Sequence, residues 1–335
     1  MRVAVLGAGP IGLEAAAAAG RAGLEAFVLE ATGRAGGGAA QWPHVRWYTP
    51  WRDNTTALGR EMIAFQGDLD ACPTGAELVY DYLQPLARWL DVRTAHRVLG
   101  VALWDLVKPE LGFRMLVSTP SGETWMAADA VLDCTGCTYP LPTGPAGLPA
   151  PDESLLLARG KLHHGPVSVS AFAGRRVLLV GDSLDASRVA RDLDALTPRP
   201  VISWIGSRTP GDFSPADDAL PERASLRAVA TEVAKRADRW SRAWVDRYRV
   251  ADDGRVEVRV STGDTLFVDE VIACCGFGAG PMPGPLAAGD ADPTRGSGGR
   301  WQALGARRSA GQSDFMLRDA LTTLDEVIGA LVADR

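Results

Sequence analysis

The sequence predicts an α/β fold of two similar parallel-sheet units, the second inserted in the first, each carrying a β-meander. Three observations lead there. A short buried-strand pattern runs straight into a glycine turn and an Ala-rich helix at Val3–Ala15, VAVLGAGPIGLEA. The stretch Val177–Ser187, VLLVGDSLDAS, repeats that plan with one of the three glycines kept. Each copy is followed by a second strand and then by extended runs that end in a further apolar strand. The two copies lie about 140–174 residues apart, and internal duplication is the simplest account.

The bulk properties narrow the field. A chain of 335 residues is long enough for two cores. Net charge is −6 with no basic cluster, which argues against nucleic acid and means that a phosphate ligand must be held locally. No apolar run reaches the roughly 18 residues of a spanning helix. The N-terminal apolar stretch holds Gly7, Gly9, Gly12 and Glu14 and leads into a strand rather than a cleavage site. Cys72, Cys134, Cys137, Cys274 and Cys275 are too few and too irregular for a disulfide framework, so a cytoplasmic protein is expected. The histidines and cysteines lack metal-ligand spacing.

Arg2–Leu6 reads as the first strand, Leu13–Ala22 as the helix and Glu25–Glu30 as the second strand. Between them Gly7, Gly9, Pro10, Ile11 and Gly12 form GxGxxG. Gly7 permits the tight turn, Gly9 lets a pyrophosphate approach the backbone, and Gly12 lets helix and strand pack closely. The helix start offers N–H groups to phosphate. Glu30, at the end of the second strand, suits a ribose diol and would repel a 2′-phosphate. This is a Rossmann-like fingerprint with every part in order. Val98–Trp104, Phe113–Ser118 and Glu123–Leu132 then read as the meander that precedes the exit strand.

The second half repeats the order: strand Arg176–Val180, helix Leu184–Ala195, strand Val201–Ile205, then runs at Val245–Val250, Arg255–Ser261 and Thr265–Ala273. Gly181 keeps the turn, with Ser183 and Ala186 at the other two glycine positions. Arg208, just past the following strand, suits the 2′-phosphate of NADPH. Asp182 and Asp185 bring negative charge to the same turn and predict a weakened site. The Pro-rich stretch Pro140–Asp152 and the segment Gly278–Gly299 mark the crossings between units. The expected domains are 1–160, 161–275 and a C-terminal return over 276–335.

Further motifs carry a resemblance. Arg34 and Gly36-Gly37-Gly38 follow Glu30, and AVLDCTGCTYPLP at Ala130–Pro142 holds Thr135-Gly136 beyond the exit strand. With the two glycine turns, these make the chain resemble the FAD/NAD(P)-dependent oxidoreductases with two dinucleotide-binding domains, which include flavin monooxygenases and thioredoxin-reductase-like enzymes. The resemblance covers essentially the whole chain. It implies FAD at Gly7, Gly9, Pro10, Ile11, Gly12, Glu30, Arg34, Gly38, Thr135 and Gly136. It implies NADPH, or NADH, at Gly181, Ser183, Ala186 and Arg208. It also implies that the C-terminal helix start, at Asp314 and Phe315, faces the flavin pyrimidine. The loop His44–Thr56, HVRWYTPWRDNTT, would run beside the isoalloxazine. Arg46, Trp51, Arg52 and Asn54 are its candidates for flavin and substrate contact, with aromatic packing under a long loop as the plain alternative.

Gly160 and His164 keep part of a monooxygenase motif, although Ala158 and Ser168 replace its aromatics. Cys134 and Cys137 have CxxC spacing, but their Thr-Gly belongs to the exit motif, so redox chemistry is not expected there. The resemblance implies an NAD(P)H-dependent monooxygenase acting through a flavin C4a-(hydro)peroxide. An FAD-dependent oxidase or dehydrogenase with a vestigial second unit, or a non-catalytic flavin-binding sensor, stands as the alternative.

Overall fold

The computed structural model describes residues 1–105, 108, 111–208, 220–280, 299–305 and 317–334. It divides into two compact units, one of Met1–Thr138 with Ala279–Arg335, the other Tyr139–Gly278.

In the first unit β1 (Arg2–Leu6) is the centre of a parallel sheet. Its neighbours are β2 (Glu25–Leu29) on one side and β7 (Ala130–Asp133) on the other, with β3 (Val92–Arg93) and the strand Trp301–Ala303 at the edges. Val3, Ala4 and Val5 are fully buried, which is why the strand reads as a continuous apolar run. Each such side chain of Val or Leu size contributes roughly 1.5–3 kcal/mol of burial. The helix Pro10–Arg21 covers one face, with the helix Leu324–Ala333 against it, and Leu13, Leu324, Ile328 and Leu331 share that core. On the other face lies the antiparallel meander of β4 (Arg97–Leu103), β5 (Phe113–Thr119) and β6 (Gly122–Ala128).

The second unit repeats this order. β8 (Tyr139–Pro140) and β9 (Leu162–His164) precede β10 (Arg176–Val180), the helix Leu184–Asp194 and β11 (Val201–Gly206). The helix Pro221–Arg236, β12 (Asp238–Ser241), and the meander of β13 (Val245–Val250), β14 (Val256–Val260) and β15 (Thr265–Val268) follow. β16 (Glu270–Ala273) and β17 (Phe277–Gly278) close the unit. Its parallel sheet has the order β12-β11-β10-β16-β9.

Two corrections to the sequence reading share one cause. The runs Glu123–Leu132 and Thr265–Ala273 are each two strands, broken at Asp129 and Asp269. Asp129 N–H donates to the Arg2 carbonyl at 2.9 Å, and its carboxylate accepts the Arg2 N–H at 2.6 Å. Asp269 does the same to Arg176, at 2.8 Å in both directions. Each aspartate thus hands the chain from meander to parallel sheet at the first residue of the unit's leading strand.

The units divide after residues 138 and 278, where the sequence reading set 160 and 275. Strand β8 pairs with β17, Phe277 against Pro140, so both crossings meet in one short ribbon. The stretch beyond β8 also packs into the second core, through Ala150 and Leu156. Glu153 ties it down, its buried carboxylate accepting the N–H groups of Thr143 and Ala150 and the Thr143 hydroxyl.

Candidate functional site: two glycine turns

Gly7 has φ +98°, a conformation open to glycine. Its N–H donates to the Leu29 carbonyl at 2.8 Å, closing the turn against β2. A Cβ here would stand 2.9 Å from the Cys134 carbonyl oxygen. Gly12 is more confined, since a Cβ there would stand 1.9 Å from the Gly7 carbonyl oxygen. Gly9 caps the helix with φ −80° and ψ −176°, and Pro10 takes the first helical turn, where its missing N–H costs nothing. A Cβ on Gly9 would make only an ordinary contact with Gly37, at 3.7 Å.

The second glycine cluster closes over this helix start. Gly36 N–H donates to the Ala8 carbonyl at 2.9 Å, and a Cβ on Gly37 would lie 2.8 Å from the Gly9 Cα. The two clusters meet backbone to backbone with no side chain between them, as a pyrophosphate lying on peptide N–H groups requires. Gly38 continues the short helix Gly37–Ala40 beside Trp42. Glu30 is buried at the end of β2; one carboxylate oxygen accepts the Ala8 N–H at 2.7 Å, the other the Thr32 N–H and hydroxyl at 2.8 Å. Thr135 closes on Asp133 through its N–H and hydroxyl, and Gly136 turns away with φ +70°. Ile11 is buried against Gly305.

The second turn repeats the bond that closes the first. Gly181 has φ +114°, its N–H donates to the Ile205 carbonyl at 2.9 Å, and a Cβ there would stand 2.3 Å from the Cys274 carbonyl oxygen. Ser183 caps the helix, accepting the Ala186 N–H at 3.3 Å while donating to the Cys274 carbonyl at 2.9 Å. Ala186 is fully buried in the helix–sheet contact, the task of the third glycine. Asp182 turns to the end of β11, where its carboxylate accepts the Ser207 hydroxyl and the Arg208 N–H. Asp185 is raised from the usual carboxylate range by burial, with Arg188 opposing the rise.

The aromatic loop behaves differently. Asn54 is fully buried, with its amide donating to the Thr49 and Pro50 carbonyls and its oxygen accepting the Thr49 hydroxyl. Those bonds hold the turn Trp51–Asn54 and give Asn54 a structural task. Trp51 is buried beside Phe65 and Tyr82. Arg52 pairs with Asp70, and Arg46 donates to the Cys72 carbonyl and faces Glu77 at 3.7 Å. Arg34 is exposed, 3.5 Å from the Tyr80 hydroxyl. Asp314 and Phe315 lie outside the described residues.

Cys134 is buried in the first core, where desolvation and then Asp133 push its thiol well above the ordinary range. No disulfide joins it to Cys137. His164 is half-buried on β9, and burial pulls its imidazole down.

These two turns, each set between parallel strands with a meander behind, decide the fold. The chain has the fold of the two-domain FAD/NAD(P)-dependent oxidoreductases. No family model matches the sequence. Ferredoxin–NADP reductase 1 of Cupriavidus pinatubonensis is 28% identical over 301 residues, 87% of this chain and 73% of that protein. Bacillithiol disulfide reductase Bdr from Bacillus cereus superposes over the whole of both chains with a TM-score of 0.72 at 16% identity. A flavin-containing monooxygenase from Stenotrophomonas maltophilia matches with a TM-score of 0.65 at 20% identity, over 99% of this chain and 98% of that one. In this oxidoreductase fold the sequence missed two polar features, one of them buried. Glu14, inside the apolar helix pattern, accepts the Tyr82 hydroxyl and the Thr56 N–H and hydroxyl. The second is the reach of Asp182 across its turn. An acid amid Leu13–Ala19 was a visible signal for the first; nothing local marked the second.

Proposed function

We propose that the chain is an FAD-dependent oxidoreductase reduced by NADPH, and specifically a monooxygenase of a small molecule. The observation that carries the two-nucleotide reading is the pair of matched turns, Gly7 and Gly181, each placing a helix start beside a strand end. In the first unit the N–H groups around Ala8–Gly12 and the cluster Gly36–Gly38 would hold the pyrophosphate of FAD, and Glu30 its ribose. In the second, the helix capped by Ser183 would hold the pyrophosphate of NADPH, and Arg208 its 2′-phosphate. When bound, the flavin supplies hydride acceptance and the reaction with oxygen; the chain binds it, orients it and excludes water. The overall balance is NADPH, a proton, O₂ and substrate giving NADP⁺, water and the oxygenated product.

The flavin-containing monooxygenase likeness supports this reading, as does a CxxC pair whose first thiol is buried in a core. A second reading, an NADPH-dependent reductase of a protein electron carrier, draws support from the ferredoxin–NADP reductase relative. Anaerobic stopped-flow mixing of the FAD-loaded protein with NADPH tests the common part: the flavin should bleach. Adding oxygen with a panel of amines and thioethers then separates the readings. A monooxygenase gives oxygenated product and suppressed hydrogen peroxide with one of them. A reductase gives peroxide throughout and fast reduction of added ferredoxin. A flavin that stays oxidised at millimolar NADPH refutes both.

A further inference from the structure

We infer that the Asp182 carboxylate is a resident anion in the 2′-phosphate subsite of the second unit and tunes the choice between NADPH and NADH. The inference rests on the nucleotide reading of that unit given above. One oxygen, Oδ2, accepts both the Ser207 hydroxyl at 2.8 Å and the Arg208 N–H at 2.5 Å. Both donors lie at the end of β11, where this kind of unit receives the adenosine ribose. Gly206 lies directly beside the carboxylate: a Cβ there would make ordinary contacts with Asp182, 3.4 Å from its Cβ and 3.6 Å from Oδ2. Arg239 donates to the Arg208 carbonyl at 2.6 Å, so two arginine residues attend the same strand end.

A hydroxyl, a backbone N–H and a guanidinium are the donors that proteins direct at phosphate. Here an acid from the glycine turn fills two of them. The first unit bridges the same gap in the opposite sense: its acid, Glu30, stands at the strand end and accepts an N–H of the turn. A ribose 2′-hydroxyl arriving at Asp182 can donate to the carboxylate. A 2′-phosphate must displace it and then stand near its charge. Asp182 therefore penalises the phosphorylated ribose selectively, and Arg208 opposes it.

The test is calorimetric titration of the full chain with adenosine 2′,5′-bisphosphate and with 5′-AMP, probes that need no turnover. Asp182→Asn keeps the acceptor and removes the charge. It should tighten the bisphosphate by about tenfold and move 5′-AMP by less than about threefold. Asp182→Ser should shift the ratio in the same direction, and adding Arg208→Ala should cancel the gain. An unchanged ratio of the two affinities in Asp182→Asn, with 5′-AMP still bound, overturns the inference alone. Failure of wild type and variants to bind either probe overturns the nucleotide reading and the inference together.

Discussion

Gly12 and Gly7 touch through backbone alone: a single methyl on Gly12 would stand 1.9 Å from the Gly7 carbonyl oxygen. The contact sets the distance between helix Pro10–Arg21 and strand β1. Gly12→Ala should therefore destabilise the first unit by about 3 kcal/mol, the upper range for overpacking a core. Urea unfolding followed by circular dichroism checks this, and a loss below about 1 kcal/mol contradicts it.

Gly9→Val should separate binding from folding. The φ of −80° accepts a side chain, and its first carbon meets only Gly37, at 3.7 Å. The variant should keep native circular dichroism yet purify colourless, because the added methyls would crowd the helix start on which the pyrophosphate is proposed to lie. A folded variant that retains flavin absorbance would show that the pyrophosphate lies elsewhere.

Glu14 should leave a signature in the pH dependence of stability. Burial raises its carboxyl above the ordinary value, against the opposing bonds from Thr56 and Tyr82. A folded-state pKa above the unfolded one means that the native state binds the proton more tightly. The contribution is fully present below the unfolded pKa of about 4.5 and is lost as pH rises through the folded value. The stability of wild type relative to Glu14→Gln should therefore fall as pH rises across that window. A flat or rising difference in Tm sinks the assignment.

Gly59 should prove intolerant for the same reason. A Cβ there would stand 2.0 Å from the Tyr82 hydroxyl and under 3 Å from both Glu14 oxygens. Gly59→Ala should break that buried pair and cost roughly 2–3 kcal/mol, the range for leaving a buried polar group unsatisfied. Thermal melts of Gly59→Ala beside Glu14→Gln and the double variant should show strong non-additivity.

The cysteines should be dispensable for electron transfer. Cys134 and Cys274 are pushed well above the ordinary thiol range by burial, and Cys275 is pushed up to about 12. These three should resist iodoacetamide in the native protein at mildly alkaline pH. A Cys134→Ala/Cys137→Ala variant should keep NADPH-driven flavin reduction, at a stability loss of about 1 kcal/mol from the buried position. Loss of reduction with FAD retained would instead favour a disulfide-reductase-like cycle.

The sequence by itself determined the local grammar of this protein. Strands Arg2–Leu6 and Arg176–Val180, the glycine turns after them and the duplication were all legible. A buried parallel strand is a run of apolar residues, and a turn at φ near +100° selects glycine; both signals lie within a few neighbours. The tertiary structure alone decided where polar side chains spend their hydrogen bonds. Asp129 and Asp269 break the predicted strands because their partners, Arg2 and Arg176, lie 127 and 93 residues away. Asn54, promising in an aromatic loop, is consumed by the Thr49 and Pro50 backbone. Asp182 turns from the pyrophosphate side of its turn to Ser207 and Arg208. A side-chain hydrogen bond is set by geometry within about 3 Å, and the residues that supply that geometry are brought together only by the fold.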